Sequence, residues 1–339
     1  MNNTIGDKYR LTIFGASHAP EIGVRITGIP ADTRIDRKAL QAFMARRAPG
    51  QGACSTSRKE PDLVEFTEGV DGEGRVLSAA VRAVIRNTNV RRKDYDNLRD
   101  VPRPGHADLT ARLRYGDQLD MSGGGPFSGR MTAPLCIAGG IALQILAERG
   151  VSIRAGIREI GGLGDPDQYM EAIDRARAEG DSLGGVIECC AEGVPAGIGD
   201  PMFDGIENRI ARIVFGIPAV KGIEFGAGYR AARMKGSENN DPFYNDESGQ
   251  IRTKTNNAGG ILGGITNGMP VTFTVAVKPT PSIAKEQESV NIRTGENARL
   301  VIRGRHDPCI VPRAVPVVEA ACACAILDAV LEREGSTGA

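Results

Sequence analysis

Three histidines are the side chains of this sequence that ordinarily titrate near neutral pH, and all lie in polar or glycine-rich segments. His18 lies in FGASHAPEIG, His106 in RPGHAD and His306 in GRHDPC. None falls on an apolar helical pattern. A histidine so placed can donate a proton to a leaving phosphate, so His18 and His106 are candidate catalytic residues. His306 is a weaker candidate, because its neighbours Arg305 and Asp307 could be the working groups.

Arginines are frequent in the same segments. The set comprises Arg46, Arg47, Arg58, Arg103, Arg130, Arg303 and Arg305. A planar guanidinium binds a carboxylate or phosphate through two parallel hydrogen bonds. Any single arginine is equally consistent with a solvated surface position, but several of them beside histidines in glycine- and proline-rich loops indicate a small polyanionic ligand.

Two glycine-rich runs have exposed backbone N–H groups that could bind an anion. The first, at residues 123–125, leads into Ser128, Arg130 and a predicted helix, which together favour a phosphate site. The second is NNAGGILGGITNG at residues 256–268. Tight turns or close packing are the alternative explanation for both runs.

Composition and absent motifs exclude several classes of protein. Lys plus Arg equals Asp plus Glu, 42 against 42, so no overall positive field exists for nucleic acid or an anionic membrane. Aromatic residues are only 4% of the chain, which disfavours base stacking. The sequence lacks GxxxxGK[ST], GxSxG and HExxH. A GxGxxA at residues 226–231 is followed by a charged segment rather than a crossover helix, which disfavours dinucleotide binding.

The seven cysteines include no CxxC pair, so we predict structural thiols and no metal site. The first residues have no basic stretch followed by an apolar run, and no uncharged apolar run is long enough for a membrane span. We therefore expect a cytoplasmic protein.

Helical and strand patterns are mixed along the chain, which predicts an α/β or α+β fold. Helices are predicted at residues 37–47, 76–86, 133–149, 167–178 and 316–332, the last with Pro316 in its first turn. Strands are predicted at residues 9–14, 24–29, 186–191, 221–225 and 270–277. The candidate residues lie in long connectors, which are typical of site loops. With no clear linker or repeat, we predict one domain over residues 1–339.

The motifs resemble those of one family. FGASH, RRAPGQ, SRKEPD, RPGHAD, GGGPFSGR, NNAGGILGGITNG, VKPTPS and GRHDPCIVPRAVPVVEA occur in the order and approximate spacing of chorismate synthases, over residues 6–331. The resemblance implies an α+β fold, a β-α-β sandwich with helices packed between antiparallel sheets, assembled as a homotetramer. It also implies conversion of 5-enolpyruvylshikimate 3-phosphate to chorismate, an anti 1,4-elimination of phosphate. That reaction needs reduced FMN without net redox change, with NADPH as a possible reductant.

The resemblance implies roles for individual residues. His18 matches the proton donor to the leaving phosphate, His106 the histidine near the flavin, and Asp307 the carboxylate that works with the flavin in deprotonation. The substrate-binding positions are Arg46, Arg47, Arg103 and Arg130. The FMN-binding positions are Ser128, Ala219, Gly263, Lys278, Pro279, Thr280, Pro281, Ser282 and Arg305.

The sequence also departs from the family pattern. Ala16 replaces an acid, Ser122 a cation, Pro126 a polar residue, and Pro218 an Asn common beside Ala219. Two functions other than chorismate synthase therefore remain as alternatives. One is a flavoenzyme of the same fold that acts on a related phosphorylated anion. The other is a non-catalytic flavin- or anion-binding protein, which would not need the acid–base groups that this sequence retains.

Overall fold

The computed structural model describes residues 2–48, 61–87, 99–302 and 307–337. Its helices are α1 (Arg37–Arg47), α2 (Asp108–Tyr115), α3 (Thr132–Ala147), α4 (Tyr169–Ala178), α5 (Ile206–Val214), α6 (Gly236–Asn239) and α7 (Val311–Thr337). Its strands are β1 (Thr4–Ile5), β2 (Arg10–Gly15), β3 (Glu21–Thr27), β4 (Glu65–Glu68), β5 (Ala80–Arg86), β6 (Ser152–Ile160), β7 (Gly185–Glu192), β8 (Val220–Phe225), β9 (Phe243–Asn245), β10 (Ile251–Thr253), β11 (Ile261–Leu262), β12 (Ile265–Thr266), β13 (Val271–Val277), β14 (Gln287–Val290) and β15 (Asn297–Leu300).

The longer strands form two antiparallel sheets. The first has the order β1-β2-β3-β5-β4 and the second the order β6-β7-β13-β8. The shorter strands pair as two-stranded ribbons, β9–β10, β11–β12 and β14–β15. In β13 the sequence VTFTVAV alternates, and its Val and Phe side chains are buried at every second position. This period of two is what a strand with one face on the core requires.

Helices α3 and α7 occupy the space between the two sheets, and α1 packs on both of these helices. Helix α3 packs along α7 and contacts the first sheet at β3 and β5, while α7 contacts the second sheet at β6 and β7. The core is formed by the inner faces of both sheets and by these helices. The predicted α+β class, with helices between antiparallel sheets, is therefore confirmed.

The two central helices are unusually apolar. Stretches Gly129–Ala147 and Val311–Ser336 could cross a membrane by length and composition, but 78% and 94% of the residues in their most apolar 18-residue windows are buried inside the fold. Burial on all sides explains why neither shows a polar face. Helix α7 begins at Val311, so the prediction that Pro316 lies in its first turn was wrong. Pro312 occupies that first turn instead, where its missing N–H costs no helical hydrogen bond.

Four of the five predicted helices and all five predicted strands are confirmed, with ends shifted by a few residues. The predicted helix at residues 76–86 was wrong, because residues Ala80–Arg86 form β5. All seven of its residues pair with β3, and Val81, Ala83 and Ile85 are buried. Pairing with a strand distant in sequence outweighed the local helical pattern. Helix α5 and strand β6 were not predicted.

Gly139 allows α3 and α7 to approach closely. A Cβ added to Gly139 would lie 2.2 Å from the Cβ and 2.3 Å from the Cα of Ala320. We expect Gly139→Ala to destabilise the fold by about 1–3 kcal/mol through overpacking, seen as a lower urea midpoint. Gly156→Ala in β6 is the control, because no atom lies within 4 Å of its added Cβ. Equal midpoints for the two variants would contradict close packing at Gly139.

Candidate active site

A cavity of about 580 Å³ brings most of the predicted site residues together. Its size lies in the usual range for small-molecule sites. The predicted residues in its wall are Arg47, Arg103, His106, Ser128, Arg130, Ala219, Lys278, Thr280, Pro281, Ser282 and Asp307. They come from six separate chain segments, so the fold rather than local sequence assembles the site.

Arg103 and His106 share one carboxylate, that of Asp108 at the start of α2. The Asp108 carboxylate accepts hydrogen bonds from Arg103 Nε at 2.7 Å, Arg103 Nη2 at 2.7 Å and His106 Nδ1 at 2.6 Å. A proton on His106 Nδ1 therefore faces Asp108. The other ring nitrogen, Nε2, lies next to Gly124, near the cavity wall. Sequence reasoning did not single out Asp108, although the residue lies inside the RPGHAD motif.

Burial alone would raise the pKa of the Asp108 carboxyl, but hydrogen bonds from Arg103 and His106 outweigh burial and hold that pKa well below its usual range. Asp62 behaves similarly. Burial opposes the charged form of its carboxyl, and the charges of Arg47 and Arg130 still lower its pKa. Both carboxylates are therefore ionised at neutral pH.

These depressed pKa values predict loss of stability in acid. A carboxyl group whose pKa is lower in the folded than in the unfolded state stabilises the fold at pH values above its unfolded-state pKa, about 3.9. This stabilisation is lost as the pH falls toward the folded-state pKa. We expect the urea midpoint to hold from pH 7 to about pH 5 and to fall steeply below about pH 4. Asp108→Asn should be less stable at pH 7 and should lose less stability between pH 5 and pH 3. An equal loss in variant and wild type would contradict the role of Asp108.

Arg47 and Arg130 are joined by a second buried carboxylate, that of Asp62. Nη1 of Arg47 and Nη1 of Arg130 donate to different oxygens of Asp62, and all three side chains are buried. Arg47 Nε also donates to Thr132 Oγ1 at 3.1 Å. Arg130 Nε donates to Asn87 Oδ1 at 3.1 Å. The cavity wall thus contains two fixed guanidinium groups side by side.

The glycine run at residues 123–125 separates the two predicted catalytic histidines. All three glycines have positive φ, at 62°, 87° and 51°, which favours glycine. A Cβ on Gly123 would lie 2.2 Å from His18 Cε1, and one on Gly124 would lie 3.1 Å from His106 Nε2. His18 is buried behind this loop and is not in the cavity wall. Its Nδ1 lies 3.2 Å from the Oγ of Ser17, which is in the wall.

Asp307 and Arg313 form another ion pair at the cavity. Arg313 Nη1 lies 2.5 Å from Asp307 Oδ2, and Arg313 Nε donates to the backbone oxygen of Arg47 at 3.0 Å. Both side chains are in the cavity wall. Arg313 was missed, although it lies in the PRAVP part of a quoted motif. The arginine fixes Asp307 relative to the Arg47 end of the site.

The segment from Lys278 to Ser282 contributes four residues to the cavity wall. Lys278 Nζ donates to Gly105 O at 3.0 Å, and Ser282 Oγ accepts from Arg103 Nη1 at 3.2 Å. Burial and then the charge of Lys221 lower the pKa of Lys278. The Thr280 hydroxyl is buried and has no hydrogen-bond partner among the described residues. Ala219, whose backbone oxygen accepts from Lys278 N, has the strained φ of 76°.

Besides His18, three of the predicted site residues that the structure describes do not line the cavity. Arg46 makes two hydrogen bonds to the buried Glu319 of α7, at 2.6 and 2.9 Å. Gly263 lies in the turn between β11 and β12, and Pro279 lies between two wall residues. Arg305, like His306, lies outside the described residues. Of the departures from the family pattern, Pro126 and Pro218 are in the cavity wall.

Comparison with known proteins relates this chain to one family over nearly its whole length. The family model described as chorismate synthase matches residues 9–331. The chorismate synthase of Chitinophaga pinensis is 47% identical over 334 residues, with 98% of each chain covered. That of Korarchaeum cryptofilum is 44% identical over 350 residues, with 96% of each covered. A crystal structure of a chorismate synthase superposes with a TM-score of 0.77 at 27% identity, covering 98% of this chain and 94% of the other. The chain belongs to the chorismate synthase family.

Proposed function

We propose that this chain is a lyase that eliminates phosphate from 5-enolpyruvylshikimate 3-phosphate to give chorismate, and that it requires reduced FMN. In this reaction a ring C–H bond and the C–O bond to phosphate break, and a new double bond forms. A proton and phosphate leave, so the substrate undergoes no net oxidation. The observation that carries the proposal is the single cavity in which Arg47, Arg103, Arg130 and His106 meet, in a member of this family.

The charges of the cavity suit this substrate, which has two carboxylates and one phosphate. Arg47 and Arg130 present guanidinium groups in its wall, and Arg103 and Lys278 provide two further cations. Two buried acids, Asp62 and Asp108, hold three of these cations in place. The chain as a whole has a formal charge of zero, so attraction for the substrate is local.

The wall from Lys278 to Ser282 suits a bound FMN. The Thr280 hydroxyl is buried without a partner among the described residues and could bind a polar group of the flavin. Lys278 has a pKa lowered by burial, and a bound anion would favour its charged form. Ser128 and Ala219 line the same cavity. Bound reduced FMN would supply a transient electron to the substrate, while the protein supplies binding and orientation.

Protons are handled by three residues in this proposal. Asp108 fixes the His106 ring, so that Nε2 is the nitrogen left to hold a proton beside the flavin. Asp307, beside Arg313, assists removal of the ring proton. His18 donates a proton to the leaving phosphate, and its contact with Ser17 connects it to the cavity wall. We also infer a cytoplasmic homotetramer, as the family resemblance implies.

A second candidate is a flavoenzyme of the same fold acting on a related phosphorylated anion. It is favoured by Pro126 and Pro218, which occupy the cavity wall where the family has polar residues. The test compares turnover of 5-enolpyruvylshikimate 3-phosphate with that of shikimate 3-phosphate, under anaerobic conditions and with reduced or oxidised FMN. We expect phosphate release only from the enolpyruvyl substrate and only with reduced FMN. Preferential release from shikimate 3-phosphate would support the second candidate.

A further inference from the structure

Asp62 lies directly behind the two arginines of the cavity wall. Its side chain is fully buried and does not line the cavity, whereas both arginines do. Each carboxylate oxygen accepts from a different guanidinium, one from Arg47 and one from Arg130. A carboxylate used in this way sets the distance between two cations. It also reduces the repulsion between them.

The backbone around Asp62 is itself anchored. Asp62 has a φ of 46°, a left-handed conformation that Asp tolerates better than most residues. The side chain of Gln41 in α1 donates from Nε2 to Asp62 O at 3.2 Å and accepts from Val64 N at 3.2 Å. Because α1 also carries Arg47, one helix fixes both partners of the ion pair.

We propose that Asp62 is a positioning residue for the elimination reaction, acting through Arg47 and Arg130, a role that rests on the proposed function. The carboxylate holds the two guanidinium groups at one spacing, so that both positive charges in the cavity wall act on the anionic groups of the substrate together. Since displacement of about 1 Å can cost on the order of 10²-fold in rate, this alignment acts on turnover more than on affinity.

The surrounding charges predict how affinity responds when Asp62 is neutralised. The charged groups in contact with this end of the cavity are Arg47, Arg130 and Arg313, with Asp62 and Asp307 as their acids. Replacing Asp62 by Asn removes one negative charge from this set. Attraction for an anionic substrate therefore stays equal or grows, while the arginines lose their common anchor.

The test is Asp62→Asn, with substrate affinity and turnover measured separately. Calorimetric binding of 5-enolpyruvylshikimate 3-phosphate should give a dissociation constant within about threefold of wild type, or tighter. The kcat for phosphate release with reduced FMN should fall by about 10²-fold. Asp328→Asn is the matched control, since Asp328 is also buried and paired with an arginine, Arg209, but lies outside the cavity. This control should lose stability and keep wild-type kcat per folded molecule.

A folded Asp62→Asn variant with wild-type kcat would overturn the inference. A variant whose slower phosphate release is explained entirely by weaker substrate binding would overturn it too. If Asp62→Asn does not fold, Asp62→Glu keeps the charge and moves the carboxylate by one methylene. We expect that variant to retain affinity and to lose at least about tenfold in kcat. Wild-type kcat in it would overturn the inference equally. A wild-type protein that releases no phosphate would instead remove the proposed function, and this role of Asp62 with it.

Discussion

Replacement of His106 by Ala is expected to leave the fold intact and to reduce kcat for phosphate release by about 10²–10⁴-fold, the usual range for loss of a proton-handling group. The ring of His106 is fixed by Asp108 at 2.6 Å and lies beside Gly124 of the glycine run. Its removal takes away the nitrogen that faces the proposed flavin. Anaerobic turnover with reduced FMN, measured beside a urea unfolding curve, separates the loss of chemistry from a loss of fold.

Leu113→Ala is a suitable control for this variant. Leu113 lies on α2, the helix that Asp108 begins, and its side chain is largely exposed. We expect wild-type turnover in this control. Turnover near wild type in His106→Ala, with an unchanged unfolding midpoint, would remove His106 from the mechanism.

Replacement of Arg47 by Ala is expected to affect both affinity and stability. Arg47 is 2% exposed, and its loss leaves the buried carboxylate of Asp62 with Arg130 as its remaining arginine partner in the described cluster. Breaking a buried ion pair typically costs about 3–5 kcal/mol, and we expect the lower end because Arg130 remains. The dissociation constant of the substrate should also rise by at least about tenfold, since one guanidinium contact is worth roughly 1.5–3 kcal/mol.

The control for Arg47→Ala is Arg177→Ala. Arg177 pairs with Asp174 on the surface of α4, where both side chains are about half exposed. Exposed pairs contribute at most about 1 kcal/mol, so this variant should unfold close to wild type. An unchanged substrate dissociation constant in folded Arg47→Ala would show that Arg47 serves only the structure.

Much of the fold could be predicted because the local sequence pattern of most helices and strands agrees with their burial in the folded protein. The β-rich run at residues 270–277 predicted β13, and the apolar helical pattern from residue 133 predicted α3. Residues 76–86 were misassigned, because AVRAVIR suits a helix or a strand equally well by composition. Its pairing with β3, more than fifty residues earlier in the chain, and with β4 decides for the strand. Single-sequence patterns carry no information on such a partner.

Most cations of the cavity wall were predicted, although Arg313 was missed, whereas of the acids only Asp307 was predicted and the buried partners Asp62 and Asp108 were missed. Arginines and histidines in glycine-rich loops suggest a ligand directly, whereas the acids that hold them could not be recognised as partners. Asp62 lies 15 residues from Arg47 and 68 from Arg130 along the chain. From sequence alone, an acid that far along the chain from its arginine partners cannot be distinguished from a surface acid.

Arg46 and Arg47 show a second limit of sequence reasoning. The two are adjacent in α1, so their side chains leave the helix about 100° apart. Arg47 lies in the cavity wall, while Arg46 makes two hydrogen bonds to Glu319 and lies outside it. The motif RRAPGQ predicts an anion site near both arginines but cannot say which one faces it.

The most direct measurement is an anaerobic assay with 5-enolpyruvylshikimate 3-phosphate and chemically reduced FMN, in which phosphate and the absorbance of chorismate are followed together. We predict equal amounts of both products, formed only with reduced flavin and with no net consumption of it. Binding of FMN without formation of either product would contradict the proposed elimination. It would then direct attention to Ala16, Ser122 and Pro126, where the sequence departs from its family.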